Sequence, residues 1–77
     1  MEINLLVFGQ LSDITGRNSC KMADVPTTDD LLQKMITDFP ALQSVSYSIA
    51  VNKVIIRENT LLADNDTVAI LPPFSGG

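Results

Sequence analysis

Apolar and polar positions along the 77-residue chain fall into five strand-like runs, one short helical stretch and one longer one. The first run, Met1 to Phe8, is apolar on both of its alternating faces, which is typical of a strand inside a sheet. A short amphipathic stretch of one or two helical turns follows it, ended by Gly16. The pattern then predicts a second strand over Ser19 to Ala23, which the turn at residues 16–18 pairs with the first as a hairpin.

The clearest helix follows Pro26. Thr27 is placed to cap its first amides, and Asp29 and Asp30 put carboxylates in the first turn, where the helix dipole favours negative charge. Pro40 disfavours helical geometry in the residue before it, so we expect the helix to end there. The apolar residues between these limits have helical spacing and predict one buried stripe, made of Leu31, Leu32, Met35, Ile36 and Phe39.

The second half of the chain predicts three more strands after a polar link. The runs Tyr47 to Val51 and Val54 to Ile56 are separated only by Asn52-Lys53, the length of a tight hairpin. Thr67 to Leu71 forms the last strand, preceded by a turn at Asp64-Asn65-Asp66. The order ββαβββ predicts an α+β fold, with one main helix packed across a mixed sheet.

Composition excludes several classes of function. Five Lys and Arg against nine Asp and Glu give a net charge of −4, so the basic footprint of a protein that binds nucleic acid or an anionic membrane is missing. With no His and one cysteine, Cys20, the chain lacks imidazole bases and an all-protein zinc site, so we expect no metal and no bound cofactor. We interpret Cys20 as a strand-packing residue.

Three further observations favour a cytoplasmic protein. A single cysteine cannot form an intramolecular disulfide. The chain opens without a secretory leader, and no apolar run approaches the roughly 20 residues of a membrane span.

The last six residues carry no charge and no periodicity: Pro72, Pro73, Phe74, Ser75, Gly76 and Gly77. We therefore predict a domain over residues 1–71 and a flexible, extended tail over residues 72–77. The prolines stiffen the base of the tail, and the glycines have no side chains to obstruct a narrow channel, which suits insertion into a partner's active site. The Gly77 carboxylate is ionised at neutral pH and must be activated before acyl transfer. Because the chain has no phosphate-binding glycine loop, ATP must be bound by another protein.

Three segments carry a resemblance to a known family: Ala50-Val51-Asn52, the run from Asn59 to Ala69, and the run from Leu71 to Gly77. They are similar to the MoaD/ThiS family of ubiquitin-like sulfur carriers, and within it to the small subunits of molybdopterin synthase. Phe8-Gly9-Gln10-Leu11 extends the similarity to nearly the whole chain. The resemblance implies a β-grasp fold whose first and last strands are parallel neighbours at the centre of the sheet.

The resemblance also implies a mechanism. A MoeB-like enzyme adenylates Gly77, and a sulfur donor system converts it to a thiocarboxylate. The large, MoaE-like synthase subunit holds the active site, where this sulfur passes to cyclic pyranopterin monophosphate, and the two subunits form a heterotetramer. This chain is then a non-catalytic carrier. It departs from the family at Asn65, where Gly is common, and at Phe74, where a smaller aliphatic residue is usual.

Strand alternation predicts a second contact surface. If Leu5 and Val7 point to the helix, then Phe8 and Leu71 emerge on the opposite face, where Ile55 joins them. Phe8, Ile55 and Leu71 match positions that resemble the family's apolar partner-binding patch; alternatively, they complete a small core. Three other functions remain open: a sulfur carrier for thiazole synthesis, a protein modifier conjugated through Gly77, and an interaction domain with an inert tail.

Overall fold

Five strands form one mixed sheet in the computed structural model, which describes residues 1–72. Its elements are β1 (Glu2–Val7), α1 (Leu11–Thr15), β2 (Ser19–Ala23), α2 (Thr28–Asp38), a 3₁₀ helix (Pro40–Ser44), β3 (Ser48–Val51), β4 (Val54–Ile56) and β5 (Thr67–Leu71). The strand order is β2-β1-β5-β3-β4. As predicted, β1 and β5 are parallel neighbours, and β1 pairs with β2 in antiparallel fashion.

The core lies between α2 and one face of the sheet. Alternate residues of the two parallel strands are buried, namely Ile3, Leu5 and Val7 of β1 and Val68 and Ile70 of β5. Leu31 and Met35 of α2 belong to the same buried cluster. Each such side chain contributes about 1.5–3 kcal/mol when it leaves water. The alternation that predicted strands also fixes which residues remain on the opposite face of the sheet.

Two side chains cap the start of α2. Thr27 has extended backbone angles, and its hydroxyl accepts a hydrogen bond from the Asp30 amide at 3.2 Å, as the sequence predicted. The side-chain oxygen of Asn59 accepts a second one from the Asp29 amide at 2.9 Å. The buried hydroxyl of Thr28 accepts from the Thr60 amide at 2.9 Å, which holds this distant loop against the helix.

The tight turns place three residues with side chains in the left-handed region of the backbone. Asn52 and Lys53 have φ values of 49° and 74°, which is the pattern of a two-residue type I′ hairpin. Asn65 has φ 69° in the turn before β5, and Asn tolerates this region better than most residues with a side chain. The substitution of Asn65 for the family's Gly is therefore compatible with the turn.

The segment after α2 differs from the expected polar link. It forms the 3₁₀ helix Pro40–Ser44, in which Leu42 is only 2% exposed and joins the core. Pro40 ends α2 as predicted, and its fixed φ suits the first position of the new helical turn. The single buried leucine is flanked by exposed residues and gives no periodic pattern, which explains the difference.

Candidate functional site

An apolar groove of about 610 Å³ crosses the sheet face opposite α2. It is lined by Leu6, Phe8, Ala50, Asn52, Lys53, Ile55, Thr67, Ala69 and Leu71. Phe8 is 45% exposed and Ile55 is 40% exposed, although both side chains are large and apolar. A groove with a mainly apolar lining is a candidate site of interaction.

Strand register explains the shape of the groove. Leu6 pairs with Ala69, Ala69 with Ala50, and Ala50 with Ile55, so one row of side chains crosses four strands. Directly paired residues lie on the same face of a sheet. The two alanines in the middle of the row form a low floor, and the larger Leu6 and Ile55 stand at its ends. The groove thus follows from the alternation of large and small residues across the sheet.

The structure brings the three predicted interface residues together. Phe8, Ile55 and Leu71 all line the groove, although Phe8 directly follows β1, Ile55 lies in β4 and Leu71 lies in β5. The exposure of Phe8 and Ile55 argues against the alternative that they complete the core. Their role in binding a partner stays a prediction.

The predicted tail begins beside this groove. Leu71 pairs with Ser48 at the end of β5, and Pro72 is the last described residue. The other predicted tail residues, Pro73, Phe74, Ser75, Gly76 and the reactive Gly77, lie outside the described residues, so the boundary between residues 71 and 72 stays a prediction.

Gly9 packs against the first residue of the tail. It has φ +62°, and a Cβ built on it would lie 2.6 Å from Cγ of Pro72, well inside van der Waals contact. The amide of Phe8 donates to the carbonyl of Ile70 at 3.0 Å, which extends the strand pairing up to this point. A glycine is therefore required at position 9 for two reasons, the backbone conformation and the close approach of Pro72.

Hydrogen bonds fix the opposite end of the groove. The Asn52 side chain accepts from the Thr67 amide at 2.9 Å and donates to the Asp66 carboxylate at 3.0 Å. The Ala63 amide donates to the same carboxylate at 2.8 Å. The bonds from the Ala63 backbone and the Asn52 side chain lower the pKa of Asp66 below its ordinary value of 3.8. The hairpin tip is therefore held to β5 and to the preceding turn at neutral pH.

Sequence reasoning missed part of this site. Ala50 and Thr67 line the groove, but nothing in the sequence around them indicates a binding site. Only the strand register assigns them to the groove. The contact of Gly9 with Pro72 joins residues far apart in the chain and has no local pattern. Cys20 pairs with Leu5 and is half-buried against the core, in agreement with a packing role.

No group of three His, Cys, Asp or Glu side chains among residues 1–72 is arranged to hold a metal ion. No helix within the same range has the length and apolar character to cross a membrane.

Comparison with known proteins gives a family match and full-length relatives. The model of the ThiS family matches residues 5–77. The chain is 37% identical over 83 residues to the molybdopterin synthase sulfur carrier subunit of Chlamydomonas reinhardtii, and the alignment covers 100% of both chains. It is 32% identical to the protein of the same name from Escherichia coli (strain K12), over 97% of this chain and 99% of the relative.

Solved structures agree with the fold. The small archaeal modifier protein 1 of Methanosarcina acetivorans superposes with a TM-score of 0.83 and 27% identity, over 99% of this chain and 96% of that one. A chain of the complex between subunits 1 and 2 of the molybdopterin-converting factor from Helicobacter pylori 26695 superposes with a TM-score of 0.69 and 26% identity, over 100% of both. The predicted ubiquitin-like β-grasp fold is confirmed.

Proposed function

The chain belongs to the ThiS family, and from this premise we propose that it is the sulfur-carrier small subunit of a molybdopterin synthase. The observation that carries the proposal is the end-to-end identity of 37% with a sulfur carrier subunit of that synthase. The family model also extends to residue 77, so the match includes the terminal glycines on which the chemistry depends.

The proposed chemistry takes place at the Gly77 carboxylate. A carboxylate is a poor electrophile, so a MoeB-like partner first joins it to AMP from ATP and releases pyrophosphate. A sulfur donor system then replaces AMP with sulfur, and the product is a thiocarboxylate. The large, MoaE-like subunit binds cyclic pyranopterin monophosphate and uses this sulfur to build molybdopterin. In this scheme the chain supplies the reactive terminus and the docking surface, and its partners supply the catalytic groups.

The geometry of the described residues supports these separate roles of the chain and its partners. The apolar groove offers a docking surface, and the tail begins at the edge of that surface, after Leu71. Five residues follow Pro72, and at about 3.3 Å each they span at most roughly 17 Å. A large subunit seated on the groove therefore needs its active site within that distance of Pro72. The structure of a complex between subunits 1 and 2 for a relative makes a two-subunit assembly a reasonable model.

Intact mass measurement tests the proposal. The chain is incubated with ATP, candidate MoeB-like enzymes and a sulfur source, and we expect a mass gain equal to the difference between sulfur and oxygen. A variant that lacks Gly77 is the matched control and should not gain mass. The modified chain should then form molybdopterin when a large synthase subunit and the pterin substrate are added. An unchanged mass, under conditions that modify an established carrier, would contradict the proposal.

A second candidate is a protein modifier conjugated through Gly77. It is favoured by the similarity to the small archaeal modifier protein 1 of Methanosarcina acetivorans, at 27% identity. Peptide mass spectra from cells that express the chain should then contain lysines that carry a Gly-Gly remnant. A carrier for thiazole synthesis shares the tail chemistry, and binding to a thiazole synthase rather than to a large molybdopterin synthase subunit would identify it.

A further inference from the structure

Lys53 has a backbone conformation that residues with a side chain rarely adopt. It is the second central residue of the type I′ turn between β3 and β4, with φ 74°. Asn-Gly is the preferred pair for this turn, because the second residue needs the left-handed region that glycine enters without steric cost. Asn52 meets the preference of the first position, whereas Lys53 does not meet that of the second. A strained residue retained at the edge of a binding surface is a candidate for function.

The side chain of Lys53 lies at the rim of the apolar groove. Of the described residues that line the groove, Lys53 is the one with a charged side chain. Among residues 1–72, the recorded ion pair joins Lys21 to Glu2, and no carboxylate lies within 4.0 Å of the Lys53 ammonium. The charge at the rim is therefore available to a partner.

The backbone next to Lys53 is held in place before any partner arrives. The neighbouring Asn52 is bonded through its side chain to Thr67 and Asp66, and its amide donates to the Thr67 carbonyl at 2.8 Å. These bonds anchor the hairpin tip to the groove floor. A preorganised contact loses less entropy on binding than one on a mobile loop.

We propose that Lys53 is a specificity-determining contact of the docking groove, and that it pairs with a carboxylate on the large synthase subunit. The inference rests on the proposed function and adds the chemistry of the partner surface: an apolar ridge that fills the groove, with an acidic side chain at the end that faces the β3–β4 tip. Because the chain as a whole carries a net charge of −4, an acidic partner meets repulsion elsewhere. A single cation on the groove rim therefore fixes the orientation in which the two surfaces meet.

The test compares variants that keep or remove the positive charge at position 53. Lys53→Gly removes the charge and supplies the residue that the turn favours, whereas Lys53→Arg keeps the charge. Lys34→Gln removes one positive charge from α2, on the other face of the sheet, and is the matched control. Each is measured for melting temperature and for binding to the large synthase subunit of the same organism, at about 0.05 and 0.5 M salt.

We expect Lys53→Gly to melt a few degrees higher than the wild type, at roughly 4 °C for a domain of this size. The same variant should bind the large subunit about three- to fivefold more weakly at low salt, chiefly through a slower association rate. The difference should shrink at high salt. Lys53→Arg and Lys34→Gln should bind like the wild type.

The possible failures are distinguishable. If the wild-type chain does not bind the large subunit, both the proposed function and this inference are overturned. If the wild type binds and Lys53→Gly binds equally well, only the inference is overturned. If Lys53→Gly also self-associates in sedimentation experiments, Lys53 instead protects the short edge strand β4 from pairing with another copy.

Discussion

Replacement of Gly9 by alanine tests whether the first residue of the tail is held by the body of the domain. The added methyl would lie 2.6 Å from Cγ of Pro72. Carbon atoms in contact are normally about 3.5–4.0 Å apart, so the proline ring and the backbone that carries it must move by about 1 Å. A proline ring has no rotatable side chain that can turn aside. The displacement therefore passes into the start of the tail.

Gly16→Ala is the control that separates the effect of this clash from the effect of a strained backbone. Gly16 caps α1 with φ +77°, close to the +62° of Gly9, but a Cβ at Gly16 has no heavy atom within 4 Å. Both variants place an alanine in the left-handed region, which destabilises the folded state. Alanine also lowers the entropy of the unfolded chain, which offsets part of this effect, so the free energy of unfolding should fall by about 1 kcal/mol. For a domain of this size that cost lowers the melting temperature by about 4–8 °C.

The assay is sulfur transfer from the thiocarboxylate form to the pterin in the presence of the large subunit. We expect Gly9→Ala to slow the transfer about tenfold or more, because a misplacement of about 1 Å caused by a mutation far from the reacting group can cost about 100-fold. Gly16→Ala should transfer sulfur at close to the wild-type rate at a temperature where all three proteins are folded. Equal transfer rates for the two variants would show that contact between Gly9 and Pro72 does not set the path of the tail.

Three further predictions concern the groove and the hydrogen bonds around it. Phe8→Ala should weaken binding of the large subunit more than tenfold, as measured by calorimetric titration, because a few large side chains that fill pockets of the partner carry most of the affinity of an interface. Leu61→Ala is the control: Leu61 is 81% exposed but does not line the groove, so its loss should change affinity less than twofold. Asn59→Ala removes a helix cap from α2 and should lower the free energy of unfolding in urea by about 1–2 kcal/mol. The depressed pKa of Asp66 means that its ionised form stabilises the fold above pH 3.8, and that this contribution is lost as the pH falls through the folded-state value. Acid unfolding of Asp66→Asn should therefore depend less steeply on pH below 3.8 than that of the wild type.

Local patterns predicted most of the fold because residues at the ends of the main helix and strands mark where each element begins or ends. Thr27 and Pro40 enclose α2, and the structure begins the helix at Thr28 and ends it at Asp38. Asn52 separates two β-branched runs and occupies the turn that joins β3 and β4. These residues act through backbone conformation or through neighbours a few positions away, so their effect can be read without the tertiary structure.

Contacts between distant parts of the chain could not be predicted in the same way. Asn59 caps α2 from 30 residues away, and its sequence neighbourhood resembles an ordinary loop. Leu42 is buried within a segment whose other residues are exposed. Strand parity predicts a contact surface at Phe8, Ile55 and Leu71, but the groove and its alanine floor follow from the relative register of four strands.

Strand β5 links the groove to the tail in one continuous piece of backbone. Ala69 forms part of the groove floor, Leu71 lines the groove, and Pro72 follows directly and rests on Gly9. Because β5 lies between β1 and β3 and is hydrogen-bonded to both, it cannot shift without breaking the pairing on each side. A partner that seats itself on the groove therefore also fixes the point from which the tail starts. We therefore expect the same strand to set both the affinity for a partner and the delivery of Gly77, so that a variant of Leu71 alters both together.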